Sequence, residues 1–185
     1  MIILNYMFKL IKFIYRISSS IYWNYKINKN FYLNGFRVFD VSVINNPEQI
    51  KIGKNVDILS GSKINCQSIN NAYALKIGDF CKIGRDVQIN AYKNVEIKNN
   101  VLIADRVHIS DASHNYKKDE PILNQGSKFF GSVTIEDGAW IGINAVILPN
   151  VRIGKNSVVA ANCVVNKNVP DNSIAAGVPA KIISK

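Results

Sequence analysis

Hydrophobic and polar positions between Val133 and Val169 recur with a period of six. Each repeat is marked by an aliphatic residue: Ile135, Ile141, Ile147, Ile153, Val159 and Val165. Gly or Asn follows three positions later, at Gly138, Asn144, Asn150, Asn156, Asn162 and Asn168. A small or β-branched residue follows four positions later, at Ala139, Ala145, Val151, Ser157, Cys163 and Val169. A helix repeats about every 3.6 residues and a half-buried strand about every two. A sustained six belongs instead to a β-helix, in which three hexapeptides close one triangular coil and each coil needs neighbours to bury its core. The aliphatic side chain points into a narrow prism and stacks on its equivalent one coil away. The residue four later turns inward near a corner, where only a small side chain fits. Gly or Asn suits a corner that requires positive φ, since Gly has no Cβ and Asn tolerates the left-handed region.

The same pattern begins earlier. Ile52, Ile58 and Ile64 start it, with Val56, Ser62 and Ser68 inward. Residues 70–74 interrupt it as a small loop. A second coil follows at Ile77, Ile83 and Ile89, with Cys81 and Val87 inward, and a two-residue slip near Val95 leads to a third at Ile97, Ile103 and Ile109. Asn55, Gly61, Asp86 and Asn100 are turn formers at its corners. Residues 36–51 read as an irregular first coil. Residues 111–131 carry no hexapeptide at all and predict a protruding loop, a length that in a compact repeat points to function or disorder. The tail after Pro170 leaves the coil and folds back along it. Two regions result: an N-terminal basic amphipathic segment, 1–35, and an all-β β-helix domain, 36–185, with its C-terminal tail.

In the N-terminal segment Asn5, Lys9, Lys12 and Arg16 fall on one stripe of a helix whose other faces are apolar. No acidic residue occurs before Asp40, and Tyr and Trp cluster here. Cations break the apolar run well short of the roughly 20 residues that a membrane span needs, and the signal-peptide pattern is missing. Two readings stay open: a helix packed on the β-helix or a neighbouring subunit, and an interfacial helix on an anionic membrane.

The 185 residues fit one domain, and the formal net charge of +10 points to phosphate-bearing or anionic partners. Three cysteines make no disulfide framework. Cys81 and Cys163 sit in the inward register and read as core filler; Cys66 falls on a turn. The chain is read as reduced and cytoplasmic, with the inner face of the membrane as the place of any peripheral contact.

The run VEIKNNVLIADRVHISDASH, followed by GSVTIEDGAWIGINAVILPNVRIGKNSVVAANCVVNKNVPDNSIAAGVPAKII, resembles the hexapeptide-repeat acyltransferases, most closely their galactoside, maltose and polysaccharide O-acetyltransferase branch. The resemblance covers about residues 75–183. It implies a left-handed parallel β-helix, a homotrimer, and acetyl-CoA as donor in clefts between subunits, with no metal required. It places the catalytic histidine at His114, at the start of the excursion loop. A base poised near neutral pH is what a hydroxyl nucleophile needs to attack a thioester. Asp111 could orient the imidazole or cap a turn; His108 reads as surface or subunit interface. On the donor side the resemblance implies Trp140 near the pantetheine, backbone contacts at Gly142, Ile143 and Ala161, Asn166 and Lys167 near the phosphates, and Pro179 and Lys181 near the adenosine end.

The acceptor side departs from the family. Gly84 stands where galactoside acetyltransferases carry an Asn, and Tyr92 where they carry an Asp. The acceptor is therefore expected to be a saccharide other than a simple galactoside or maltose, such as a capsule, O-antigen or exopolysaccharide precursor, larger and anionic or lipid-linked. No nucleic-acid partner is expected. The alternatives are N-acetylation of an amino sugar and a non-enzymatic β-helix scaffold. A γ-type carbonic anhydrase needs three histidine ligands, and the chain has two histidines.

Overall fold

The structure, a computed structural model, describes residues 6, 7, 10, 11, 14, 18, 21, 22, 37, 38, 43–68 and 73–184. Three parallel sheets form the sides of a prism. The first side stacks Arg37–Val38, Asp57–Ile58, Lys82–Ile83, Leu102–Ile103, Trp140–Ile141, Val158–Val159 and Ile174–Ala176. The second stacks Val43–Asn45, Lys63–Cys66, Gln88–Ala91, His108–Ser110, Val146–Ile147 and Val164–Val165. The third stacks Ile50–Ile52, Leu75–Ile77, Val95–Ile97, Val133–Ile135 and Arg152–Ile153.

The marker aliphatics pair in register along each side. On the first, Ile58, Ile83, Ile103, Ile141 and Val159 form a column. Ile64, Ile89, Ile109, Ile147 and Val165 form the second, and Ile52, Ile77, Ile97, Ile135 and Ile153 the third. All are buried, and each contributes about 1.5–3 kcal/mol by leaving water. The small inward residues complete the core. The two buried Ser hydroxyls among them are satisfied: Ser62 Oγ donates to the carbonyls of Leu59 and Gly84, and Ser157 Oγ to that of Pro170, whereas Ser68, expected inward, is only half-buried and lies past the strand that Cys66 ends.

The corners follow the predicted register. Gly138, Asn144, Asn150, Asn156 and Asn162 all have positive φ, as do Asn55, Gly61, Asp86 and Asn100. Phe80 and Arg106 stand in the same register and adopt φ 58° as well, so the coil imposes the turn even on residues that disfavour it. Asn168 does not: the chain leaves the coil there, its side chain accepts from the Arg152 N–H at 2.8 Å, and Asn172 takes the left-handed turn instead.

Three other expectations change. Cys66 is not on a turn; it ends the strand Lys63–Cys66 with its side chain buried, and desolvation pushes its thiol pKa up to about 12. The described part of the lead-in joins the prism, with Val43–Asn45 paired in register to Lys63–Asn65, and its irregularity is confined to a 3-10 turn at Pro47–Gln49. The tail first adds Ile174–Ala176 to the first side in parallel and only then returns as the antiparallel strand Lys181–Ser184.

The described residues of the N-terminal segment are helical: Tyr6, Met7, Leu10, Ile11, Ile14, Ser18, Ile21 and Tyr22. Their spacing puts them on one helical face, and all are exposed. The basic stripe of Lys9, Lys12 and Arg16, and the boundary at residues 35 and 36, lie outside the described residues. Among the described residues no helix is long and apolar enough to cross a membrane.

Candidate active site

The excursion at 111–131 leaves the prism at the edge between its second and third sides. It is an ordered hairpin: Ala112–His114 pairs antiparallel with Ser127–Phe129, and His114 stands opposite Ser127. Asn115 N–H donates to the Gly126 carbonyl at 3.0 Å. Further out, the Gln125 side-chain amide accepts from the Lys117 N–H and donates to the carbonyls of Lys117 and Glu120. These bonds give the loop a fixed shape without a hydrophobic core of its own.

His114 is exposed at the mouth of a cavity of about 390 Å³. Its Nδ1 lies 3.1 Å from Ser127 Oγ. With Nδ1–H donating to that oxygen, Nε2 carries the free lone pair. The cavity floor comes from the second side of the prism. Asn65, Asn90 and Ser110 pair in register there, and His108 stands two residues before Ser110. His108 is therefore part of the same cavity as His114, not merely a surface residue. Its partial burial lowers its pKa and favours the neutral ring.

Asp111 has a different role from orienting the imidazole. Its buried carboxylate accepts from three successive backbone N–H groups, of Tyr92, Lys93 and Asn94, at 2.7, 2.8 and 2.7 Å. Its own carbonyl accepts from Phe130 N–H. Asp111 thus clamps the 92–94 turn to the root of the hairpin, and Ser127 is the side chain next to His114. Register across a hairpin decides that contact, and nothing in the local sequence announced it.

Trp140 lies on the first side, half exposed at 48%. It is in register with Leu102 and Val158, and Val158 with Ile174. Leu102 and Ile174 are also exposed, so an apolar stripe runs along this side without cover from its own chain. Gly142, Ile143 and Ala161 stack on the edge between the first and second sides: a Cβ on Gly142 would lie 2.7 Å from Ala161 N, and Ile143 O accepts from Asn162 N–H. Asn166 and Lys167 are exposed just past Val164–Val165, on the edge that carries the hairpin. Pro179 and Lys181 are exposed on the returning tail, which is tied to the last coil by Ala180 N–H donating to Val164 O. None of these donor-side residues lines the His114 cavity. The three cysteines are buried and free, and burial raises each thiol pKa.

A family profile described as bacterial transferase hexapeptide (six repeats) matches residues 132–167. A protein of Escherichia coli K12 named for lipopolysaccharide biosynthesis O-acetyl transfer, WbbJ, is 32% identical over 149 residues, covering 77% of this chain and 74% of that one. A galactoside O-acetyltransferase of Escherichia coli K12 is 40% identical over 89 residues, 48% of this chain and 43% of that protein. The crystal structure of AntD, an N-acyltransferase from Bacillus cereus in complex with dTDP and 3-hydroxybutyryl-CoA, superposes with a TM-score of 0.70 at 24% identity, over 81% of this chain and 79% of that one. The chain belongs to the hexapeptide-repeat acetyltransferases, and its fold is their left-handed parallel β-helix. It spans about half the length of several curated relatives that it matches.

Proposed function

We propose that this chain is an acetyl-CoA-dependent O-acetyltransferase that acts on a saccharide hydroxyl, with His114 as general base. The observation that carries the reading is the exposed imidazole on a braced hairpin, with Nδ1 against Ser127 Oγ and a polar cavity beneath it. Nε2 takes the proton of the acceptor hydroxyl as its oxygen bonds to the thioester carbonyl carbon. Collapse of the tetrahedral intermediate breaks the C–S bond, and the proton passes from the imidazolium to the departing thiolate. The galactoside O-acetyltransferase and the lipopolysaccharide-related O-acetyl transferase among the relatives support an oxygen acceptor on a sugar. Trp140, Gly142, Ile143, Ala161, Asn166, Lys167, Pro179 and Lys181 are the proposed donor contacts.

The donor corner at Gly142 and Ala161 and the hairpin of His114 lie on different edges of the prism, so one chain does not bring them together. A homotrimer in which each site takes its base from one chain and its donor wall from the next answers this, and the uncovered apolar stripe around Trp140 supports it. The test is thiol release from acetyl-CoA with a panel of sugars and amino sugars. We expect His114→Ala to lower turnover roughly 10²–10⁴-fold while CoA binding persists. Lys167→Ala and Lys181→Ala should weaken CoA binding in a salt-sensitive way and recover turnover at saturation. Mixing inactive His114→Ala chains with inactive Trp140→Ala chains during refolding should restore part of the activity. Normal turnover of His114→Ala would remove the base assignment, failure of the mixture would remove the shared site, and transfer to amines alone would make the enzyme an N-acetyltransferase.

We further propose that the enzyme works in the cytoplasm with its N-terminal segment on an anionic membrane surface. The exposed apolar face of Tyr6, Met7, Leu10, Ile11, Ile14, Ile21 and Tyr22, in a segment with no acidic residue, supports this. Co-sedimentation with phosphatidylglycerol vesicles but not phosphatidylcholine vesicles, lost on deletion of residues 1–22, is the expected result. Equal partition with both would place the segment on another subunit.

A further inference from the structure

A second cavity, of about 410 Å³, adjoins the first. Tyr92 and Ser127 line both, so the two meet along that wall and form one groove that starts at His114. Each is in the size range of small-ligand sites. Their chemistry differs. The first is lined by Asn, Ser, Tyr and His residues; the second by Gln67, Ser68, Tyr92, Phe129 and two lysines, Lys93 and Lys128.

Both cations are held in place. Lys93 Nζ lies over the Phe129 ring, 5.1 Å from its centroid, and Lys128 Nζ over the Phe130 ring at 4.8 Å. The ion pairs between described residues use Arg85, Lys98 and Arg152 as cations, and neither Lys93 nor Lys128 takes part. The backbone beneath them is fixed as well. The buried carboxylate of Asp111 grips the N–H groups of Tyr92 and Lys93, and Phe129 pairs in register with Ala112. Two lysines that pair with no carboxylate among the described residues, each with its ammonium group over an aromatic ring, make this end of the groove cationic. Aromatic faces take the apolar side of a pyranose, amides and hydroxyls take its hydroxyl groups, and the lysines take a negative charge.

We propose that the acceptor is an anionic saccharide that lies along this groove, with the reacting hydroxyl at His114 and a carboxylate or phosphate at Lys93 and Lys128. The inference rests on the reading of the His114 cavity as the acceptor side of an acetyl transfer. Position 84 offers no such contact: a Cβ there would lie 2.6 Å from the carbonyl carbon of Ala104, and it stands on the edge between the first and second sides, away from the hairpin.

Calorimetry on the His114→Ala protein reads binding without turnover, so its outcome does not depend on the base assignment. The probes are a tetrasaccharide of alternating glucuronate and N-acetylglucosamine, its carboxyl-reduced neutral counterpart, and UDP-N-acetylglucosamine. We expect at least one charged probe to bind about ten-fold or more tightly than the neutral one at low ionic strength. The preference should shrink as salt rises, vanish in the Lys93→Ala/Lys128→Ala double variant and persist when both lysines become Arg. A winning tetrasaccharide identifies the anion as a uronate-type carboxylate, and a winning nucleotide sugar identifies it as a phosphate. Both lysines are exposed, and thermal melting of the variants checks that they fold. Equal affinity for charged and neutral probes, no binding of either charged probe, or a preference that survives loss of both lysines would overturn the inference. Turnover by His114→Ala would instead overturn the base assignment and leave this result standing.

Discussion

Phe80 and Arg106 show what the register demands of single residues. Both occupy left-handed corners at φ 58°, a conformation that costs an L-residue with a Cβ roughly 1–2 kcal/mol. Arg106 recovers part of this, because its Nε donates to Asn144 Oδ1 at 2.8 Å across the corner. Phe80 has no polar side-chain group to make such a bond, and at 58% exposed it buries little. Phe80→Asn should therefore stabilise the protein by about 0.5–1 kcal/mol, since Asn tolerates the turn and is the residue at most other corners. Urea unfolding is the measurement, and an unchanged or lower midpoint would mean that the ring stabilises the native chain in a way its exposure does not reveal.

At the scale of elements, the root of the hairpin is the sensitive point. Asp111 holds three N–H groups of the 92–94 turn, and removing its carboxylate leaves these part-buried donors without that partner. Hydrogen bonds to a charged group are worth about 1.5–3 kcal/mol each. Asp111→Ala should accordingly cost at least about 3 kcal/mol and raise hydrogen exchange at Tyr92, Lys93 and Asn94 together. A full loss of turnover in a variant with unchanged stability and exchange would instead return Asp111 to the role of orienting His114. How much of this was legible in the sequence follows from which forces act locally. The aliphatic columns and most corners could be read because each hexapeptide carries its own signal. Asn168 could not be separated from its predecessors, because only the chain's exit from the coil makes it differ. The opposition of His114 and Ser127, the entry of His108 into the same cavity and the meeting of Lys93 with Phe129 all depend on how a hairpin of no repeating pattern returns to the prism. Spacing alone does not encode that return.

Across the whole molecule, Asn166 and Lys167 share the hairpin's edge of the prism, and the corner of Gly142 and Ala161 does not. The hairpin and its groove project from the edge between the second and third sides, while the corner of Gly142 and Ala161 lies one edge away. The homotrimer proposed above suits this shape: a three-sided rod offers a neighbour one edge and one flat side, and the exposed stripe of Leu102, Trp140 and Ile174 lies on such a side.

The returning strand has one more consequence. A stack of parallel coils has no natural end, since the last rung presents free N–H and C=O groups that could template another rung. Here Lys181–Ser184 lies antiparallel on Ile174–Ala176. The reversal replaces the evenly spaced bonds of a parallel ladder with closely and widely spaced pairs, so the first side no longer offers a matching edge to a coil from another molecule. We expect the tail to oppose self-templated growth from this side. A chain cut after Ala180 should pass from a discrete particle to fibrous or very large species, visible by light scattering. If the truncated chain stays as small as the intact one, the end of the rod is guarded by something other than this strand.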